Sequence, residues 1–116
     1  MSEIGDMNFE ISSQGEVGVV ALSGDVDLES SPRLRTALLD CVSSRPAVLV
    51  DMSGVAYIDS SGIASLVEAY QAARKSSARF GLVDVSEGAM RVLELARLDK
   101  VFSIYADLAE GLKDVG

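Results

Sequence analysis

The sequence predicts an α/β fold in which helices cover a mixed, mostly parallel sheet, with the element order ββαβαβαβα. Short apolar segments alternate along the chain with longer segments whose apolar residues repeat at helical spacing. Two of the short segments, residues 47–50 and 80–85, are almost continuously apolar. Such runs are typical of strands that are buried on both faces.

The chain opens with two neighbouring β-rich segments, residues 8–12 and 17–22. The residues between them, 13–16, are polar or glycine, so the pair is predicted to form a hairpin. Residues 23–27, with the sequence Ser-Gly-Asp-Val-Asp, then predict a polar turn that leads into a helix.

The first helix is predicted to begin with Ser31 as its N-cap and Pro32 at its first helical position. One apolar stripe at helical spacing faces the core and consists of Leu34, Leu38, Cys41 and Val42. Cys41 is therefore expected to be a small buried hydrophobic side chain.

After the strand at residues 47–50, a loop is predicted over residues 53–59 and a second helix over residues 61–77, because apolar side chains repeat there at Ile63, Leu66, Val67 and Tyr70. The strand at residues 80–85 leads to a third helix capped by Ser86. Its core side chains are expected to be Ala89, Met90, Leu93, Leu95, Ala96 and Leu98. A last strand is predicted over residues 101–105. Asp107 and Glu110 resemble a capping box that opens a terminal helix.

The length of 116 residues predicts one domain over residues 1–116. Hydrophobic residues make up 48% and charged residues 24%, which favours a compact fold over a disordered chain. No apolar run approaches the ~18–20 residues that a membrane span needs, and the acidic residues 1–6 do not resemble a signal peptide. We therefore expect a cytoplasmic protein without membrane insertion.

The composition excludes most catalytic and cofactor chemistry. The chain has no histidine and a single cysteine, so imidazole catalysis, His or multi-Cys metal sites and an internal disulfide are excluded. Neither of the common glycine-rich phosphate loops is present. The net charge of −8 repels nucleic acid. We expect no catalytic residue, metal or cofactor. Protein–protein binding is the leading function, and an enzyme that works with Asp, Glu and Ser alone is the weaker alternative.

The four residues Asp59-Ser60-Ser61-Gly62 precede the second helix, at the carboxyl end of a predicted parallel strand, where such sheets usually meet ligands and partners. Asp and Ser both cap helices, which stabilises by ~1 kcal/mol. Gly62 is not needed for capping, and glycine costs ~1 kcal/mol relative to alanine within a helix. A position without a side chain lets another backbone or a phosphate come close. Plain capping and a contact site both remain open.

The same four residues, preceded by Val48-Leu49-Val50-Asp51 and by Tyr57-Ile58, closely resemble the signature of STAS domains, and of bacterial anti-sigma factor antagonists in particular. The segment Leu22-Ser23-Gly24-Asp25-Val26-Asp27 resembles the L-x-G-[ED]-[LIV]-D turn of that family. Residues 85–93 are similar to the start of its third helix, and the element order agrees over residues 7–115. The chain departs from the family at Ala64, where many members have glycine.

The resemblance implies a partner switch. Its partner would be an anti-sigma factor that is also a serine kinase, and its binding would release the sigma factor. The kinase would phosphorylate Ser60, and a PP2C-type phosphatase would reverse the modification. By position, the partner-binding residues are Asp27, Asp59, Ser60, Ser61 and Gly62, with Asp27 expected near Asp59 on one surface. The chain is expected to be a monomer that pairs with these proteins.

Charge alone is expected to operate such a switch. A phosphate adds about −1.5 to −2 charges at pH 7. At a helix N-terminus, backbone N–H groups and the macrodipole tolerate it, whereas an interface shaped for a neutral hydroxyl does not. A loss of ~3 kcal/mol weakens binding more than a hundredfold.

A second interpretation within the same family is a soluble accessory subunit of a lipid-handling ABC transporter, in which a similar turn contacts the ATPase. That branch often carries threonine or glycine in the turn, whereas this chain has Ser60 and Ser61. Copurification with an ATPase rather than with a kinase distinguishes the two.

Overall fold

A five-stranded sheet forms the centre of the protein, with its strands in the order β1-β2-β3-β4-β5. The computed structural model describes residues 6–116, so residues 1–5, for which no signal peptide is expected, lie outside the described residues. The first two strands are antiparallel and the others are parallel. The strands are β1 (Asn8–Gln14), β2 (Val17–Val26), β3 (Ala47–Ile58), β4 (Arg79–Val83) and β5 (Ser103–Tyr105).

Helices cover both faces of this sheet. Three of them pack over one face, and the fourth packs against the other. They are α1 (Ser31–Ser44), α2 (Ser60–Lys75), α3 (Glu87–Leu95) and α4 (Leu108–Val115). The predicted mixed α/β fold and the order ββαβαβαβα are confirmed. Among residues 6–116, no helix has the length and apolar character that crossing a membrane requires.

The central strand β3 is buried on both faces, as its continuous apolar run predicts. Val48 and Val50 belong to the larger core beneath α1, α2 and α3. Ala47 and Leu49 belong to the smaller core beneath α4. Cys41 packs in the larger core and is 5% exposed, which confirms that it is a buried small side chain.

Strands β2 and β3 continue beyond their predicted ends. The turn predicted at residues 23–27 and the loop predicted at residues 53–59 are wrong over most of their length, because β2 extends to Val26 and β3 to Ile58. The two strands pair in parallel to their ends, with two register shifts along the way. Such irregularities interrupt the alternation of inward and outward side chains, and this makes the segments resemble loops in the sequence.

The N-cap of the first helix lies one residue earlier than predicted. Ser30 rather than Ser31 is its N-cap, and Ser31 lies inside the helix and is 6% exposed. The Ser30 hydroxyl makes no capping bond to the helix. It accepts a hydrogen bond from the Asp27 N–H at 3.0 Å instead, so the β2–α1 turn uses the side chain that would otherwise cap.

The carboxyl-terminal part of the chain shows both agreement and error. Ser86 caps α3 as predicted, by accepting from the Ala89 N–H at 3.3 Å. Leu95 is 80% exposed and Ala96 is exposed, so neither belongs to the core. Helix α3 ends at Leu95, and Ala96 is its C-cap. Both side chains therefore lie at the carboxyl end of the helix and face away from the core. The last strand covers Ser103–Tyr105 only, since the preceding residues form a turn.

The predicted capping box at the start of α4 is present in a modified form. Asp107 accepts from the Glu110 N–H at 2.9 Å, as the pattern requires. The Glu110 carboxylate accepts from the N–H of Ala106 at 2.8 Å, one residue before the N-cap. Side chains therefore accept hydrogen bonds from two backbone N–H groups at the start of α4, those of Ala106 and Glu110.

Candidate functional site

Two connections meet at the carboxyl edge of the sheet, the β2–α1 turn and the β3–α2 turn. Val26 and Ile58 are paired at the ends of their strands. The Asp59 N–H donates to the Val26 carbonyl at 3.1 Å. The segments around Asp27 and Asp59 therefore lie side by side, as expected from the sequence.

Asp59 is the N-cap of α2. Its Oδ1 accepts hydrogen bonds from the Ser61 hydroxyl at 2.6 Å, the Ser61 N–H at 2.9 Å and the Gly62 N–H at 3.3 Å. The Ser61 hydroxyl contributes most to holding the pKa of Asp59 below its usual value, and the backbone amides of Gly62, Ser61 and Leu28 add to this effect, while partial burial opposes it. The capping role is confirmed, and the site carries a fixed negative charge at neutral pH.

Ser60 is the first residue of α2 and is exposed. The hydrogen bonds that Asp59 accepts come from the residues after Ser60, and none of them uses the Ser60 hydroxyl. That hydroxyl therefore faces solvent at the positive end of the helix dipole. Another protein can reach it without any rearrangement of the chain.

Ser61 has a different position and a different task. It is half-buried, and its hydroxyl points back to Asp59. Its carbonyl lies 3.3 Å from the hydroxyl of Ser65, which is also 3.2 Å from the carbonyl of Ser31. Ser65 is 4% exposed and links the starts of α1 and α2. Sequence reasoning missed it, because a serine on the inner face of a helix gives no signal before its partners are known.

Gly62 is buried, and the structure explains why this position is glycine. A Cβ atom there would lie 2.6 Å from Cγ1 of Val26 and 2.8 Å from Cγ1 of Ile58. The missing side chain therefore lets α2 pack closely on the ends of β2 and β3. This packing is enough to explain why residue 62 is glycine. The alternative reason offered by the sequence, space for the backbone of a partner, is not needed.

Asp27 is half-buried and organises the other turn. Its Oδ1 accepts from the N–H and from the hydroxyl of Ser30, both at 3.1 Å. This local ring fixes the carboxylate on the same edge of the sheet as Asp59. The structure thus brings together the Asp27 turn and the Asp59–Gly62 turn, with Ser60 the exposed serine of the second.

Gly24, the glycine of the second signature, has a structural role as well. Its φ is +85°, which favours glycine. A Cβ atom there would lie 2.0 Å from the Asp6 carbonyl oxygen. The guanidinium of Arg33 donates to the Met7 carbonyl at 3.0 Å, and Met7 itself is buried. The segment before β1 is therefore packed against this edge of the sheet.

Two exposed apolar side chains next to the site were not assigned to a contact surface from the sequence. Leu28, directly after Asp27, is 75% exposed, and Tyr57, two residues before Asp59, is 52% exposed. An exposed leucine looks like any core leucine in the sequence. A short polar context was the available signal, since Leu28 lies between Asp27 and Glu29.

Two other aspartates, Asp51 in β3 and Asp84 after β4, form no metal-binding group with Asp59 within the described part of the chain. Asp51 accepts from the Ser53 N–H at 3.0 Å, a hydrogen bond between two residues of β3. Asp84 is exposed in the loop after β4. Within the described residues 6–116, no group of three or more Cys, Asp or Glu side chains is arranged to hold a metal ion.

Comparison with known proteins gives consistent results. Residues 9–108 match the family described as "Mlab, STAS domain". The anti-sigma-F factor antagonist RsfB of Mycobacterium tuberculosis is 27% identical over 116 residues, which cover 99% of this chain and 94% of that protein. The crystal structure of an anti-sigma factor antagonist from Mycobacterium paratuberculosis has a TM-score of 0.88 and 30% identity, covering 99% of this chain and 98% of that one.

A further solved structure shares the fold at lower sequence similarity. The Bacillus cell fate determinant SpoIIAA in its phosphorylated form has a TM-score of 0.75 and 17% identity, covering 94% of this chain and 100% of that one. The two mycobacterial proteins are named as antagonists of anti-sigma factors, and neither name gives an enzymatic activity. Their names agree with the expectation that the present chain is not an enzyme.

Proposed function

This chain belongs to the STAS domain family, and from that membership we propose that it is an anti-sigma factor antagonist switched off by phosphorylation of Ser60. The observation that carries the proposal is the exposed Ser60 hydroxyl at the first position of α2, beside the ionised Asp59. In this proposal the partner is an anti-sigma factor that is also a serine kinase, and binding it releases a sigma factor in the cytoplasm.

The names of relatives support this function. Proteins similar to the chain over nearly its whole length are named as antagonists of anti-sigma factors. A neighbour in fold is described in a phosphorylated form. We assign the contact surface to Asp27, Asp59, Ser60 and Ser61, with the buried Gly62 setting the position of this turn on the strands. We assign removal of the phosphate to a PP2C-type phosphatase.

The chemistry requires little of this chain beyond access to Ser60. Its Oγ forms a bond to the γ-phosphorus of ATP held by the kinase, the bond from that phosphorus to the bridging oxygen breaks, and ADP leaves. The hydroxyl proton passes to a base of the kinase. A separate hydrolysis at the phosphatase removes the group: water attacks the phosphorus, the bond from phosphorus to Ser60 Oγ breaks, Oγ takes up a proton to restore the hydroxyl, and inorganic phosphate leaves.

The same geometry gives a physical reason for release. To accept a phosphoryl group, Ser60 must face the polyphosphate of the bound nucleotide. After transfer, a group with about −1.5 to −2 charges faces that nucleotide and lies beside Asp59. The amides of Ser61 and Gly62 already donate to Asp59, so they cannot fully neutralise the new charge. A penalty of ~3 kcal/mol weakens the complex more than a hundredfold.

The fold itself is expected to tolerate the phosphate. Ser60 is exposed, and the helix dipole at this end favours negative charge. The two turns are held by hydrogen bonds that do not involve the Ser60 hydroxyl. In this account the chain is a monomer that changes partner by a change in surface charge.

The test is retention of partners from a lysate of the native host on wild-type, Ser60→Ala and Ser60→Asp protein, identified by mass spectrometry. Wild type and Ser60→Ala are expected to retain an anti-sigma factor kinase, and Ser60→Asp is expected to lose it. If all three retain the ATPase of an ABC transporter instead, the chain is a transporter accessory subunit and the proposal is wrong.

A further inference from the structure

Exposed apolar side chains mark the carboxyl edge of the sheet around Ser60. Leu28 is 75% exposed and Tyr57 is 52% exposed. The backbone amide of Leu28 contributes to lowering the pKa of Asp59, and Tyr57 lies two residues before Asp59 at the end of β3. The other large exposed apolar side chains of the described residues are Ile11 on β1, Leu95 at the end of α3, and Val101 before β5.

A groove of about 520 Å³ opens beside Leu28, between the start of β1 and the β2–α1 turn. Asp25, Asp27 and Glu29 line it, together with Asp6. Leu28 lies between Asp27 and Glu29 in the turn, and Tyr57 is paired in register with Asp25. Leu28 is thus adjacent in sequence to two acidic residues of the groove, and Tyr57 lies next to a third across the paired strands. We call Leu28, Tyr57, Asp25, Asp27 and Glu29 the docking surface.

Arg33 is the basic side chain that lines the groove. Its guanidinium donates to the Met7 carbonyl at 3.0 Å and lies 5.9 Å from the centre of the Phe9 ring. The charge is thus directed towards the chain's own amino-terminal segment. Four carboxylates against one guanidinium leave the groove negative, in keeping with the net charge of −8 for the whole chain.

Resting on the function proposed above, we propose that the anti-sigma factor binds the docking surface together with the Ser60 turn, through a basic surface that contains an apolar pocket for Leu28. Burial of an exposed leucine supplies favourable binding energy near the centre of the contact. Lysine and arginine side chains of the partner face Asp25, Asp27 and Glu29. These carboxylates raise the association rate and orient the complex, so that Ser60 arrives at the nucleotide.

Two electrostatic effects of opposite sign operate at this edge of the sheet. The carboxylates of the docking surface attract the basic part of the partner, while Ser60 faces its nucleotide. Added salt therefore weakens the complex of the unmodified protein. A negative charge placed at Ser60 repels the phosphates of the partner's nucleotide. The contacts made by the carboxylates of the docking surface do not offset this repulsion.

The test is calorimetric titration of the purified anti-sigma factor, taken from the retention experiment, into wild type, Leu28→Ala and Leu95→Ala. Leu95 is the matched control because it is 80% exposed and lies at the end of α3. We expect Leu28→Ala to weaken binding about tenfold or more and Leu95→Ala to leave it unchanged. Glu29→Gln is expected to reduce the salt dependence, with Glu94→Gln, on exposed α3 surface, as its control.

Each outcome decides between the two proposals. If wild type binds and Ser60→Asp does not, but Leu28→Ala binds like wild type, the docking surface is wrong and the proposed function stands. Binding of wild type that does not change with salt also overturns the basic partner surface. If wild type retains no anti-sigma factor, both proposals fail. Circular dichroism of each variant shows that it is folded before it is titrated.

Discussion

The Asp59 N–H donates a hydrogen bond of 3.1 Å to the Val26 carbonyl, and this bond joins the end of β2 to the start of α2. The close approach at Gly62 strengthens the same junction, because its α-carbon has no side chain to separate α2 from Val26 and Ile58. The hydrogen bond and the close packing therefore fix the position of Ser60 relative to β2 and β3. A phosphate there changes the charge of a fixed surface, and no hinge needs to move.

Replacing Gly62 with alanine tests this junction. Its Cβ atom would lie 2.6 Å from Cγ1 of Val26, so α2 must shift away from the strands. We expect Gly62→Ala to lower the free energy of unfolding by about 1–3 kcal/mol, even though alanine is favoured in helices by about 1 kcal/mol. Urea denaturation measures the difference.

Gly88→Ala is the control for that substitution. Gly88 also lies in the first turn of a helix, but the nearest atom to its Cβ position is the Ala56 carbonyl oxygen at 3.6 Å, an ordinary contact. This variant is expected to be as stable as wild type, or more stable by up to about 1 kcal/mol. Equal effects at Gly62 and Gly88 would show that the packing at Gly62 is not tight.

The hydroxyl of Ser61 is the main cause of the low pKa of Asp59. Ser61→Ala removes this donor and keeps the backbone amides of Ser61 and Gly62. We expect the pKa of Asp59 to rise towards its usual value of 3.8 in this variant. Carbon-13 NMR titration of the Asp59 carboxyl group measures it. A pKa that does not change on loss of the hydroxyl would contradict the assignment.

The low pKa of Asp59 also sets the pH range in which its cap stabilises the fold. Since the pKa is lower in the folded state than in the unfolded state, the stabilisation is complete above the usual value of 3.8 and is lost as the pH falls through the folded value. Asp59→Ala is expected to cost about 1 kcal/mol at pH 7. Its difference from wild type should shrink in acid, which denaturation at several pH values measures.

Ser60→Asp is expected to leave the fold intact. The side chain at position 60 is exposed, and the helix dipole favours a negative charge. We expect the melting temperature to stay within about 4 °C of wild type, which corresponds to less than about 1 kcal/mol. Ser61→Asp, which removes the hydroxyl from Asp59 and adds a like charge beside it, is the control and should melt lower. Similar losses in both variants would argue against a tolerant Ser60 site.

Gly24→Ala tests the packing of the segment before β1. The substitution meets a φ of +85° and an oxygen of Asp6 in the place of the new side chain. We expect a loss of at least about 1 kcal/mol, and weaker order of Met7 and its neighbours in hydrogen exchange. The groove beside Leu28 would change shape as well. A variant with wild-type stability and exchange would contradict this packing.

Much of the fold follows from local patterns in the sequence. The apolar run at residues 47–50 predicts a strand buried on both faces, and Ser86 and Asp107 mark helix starts by their capping chemistry. The ends of β2 and β3 were mispredicted because pairing between strands, which is a tertiary effect, overrides a polar composition. The exposure of Leu95 likewise depends on where α3 ends on the sheet.

The sequence predicted where the site lies, but it did not predict the separate roles of the residues within it. Local rules identify the capping chemistry at Asp59, and the proximity of Asp27 was implied by the resemblance to STAS domains. The adjacent ends of the paired strands β2 and β3 explain that proximity. The contrast between the exposed Ser60 and the hydrogen-bonded Ser61 could not be predicted, because it depends on which hydroxyl points back to Asp59. The reason for Gly62 lies in its contacts with Val26 and Ile58, and these depend on how closely α2 packs on the two strand ends.

The central claim is that phosphate on Ser60 abolishes partner binding without unfolding the protein. The most direct measurement compares the Kd of the purified anti-sigma factor for unmodified protein and for protein that carries phosphoserine at position 60 alone. We predict a Kd more than about a hundredfold higher for the phosphorylated form, with an unchanged circular dichroism spectrum. Equal Kd values for two folded forms would contradict the account.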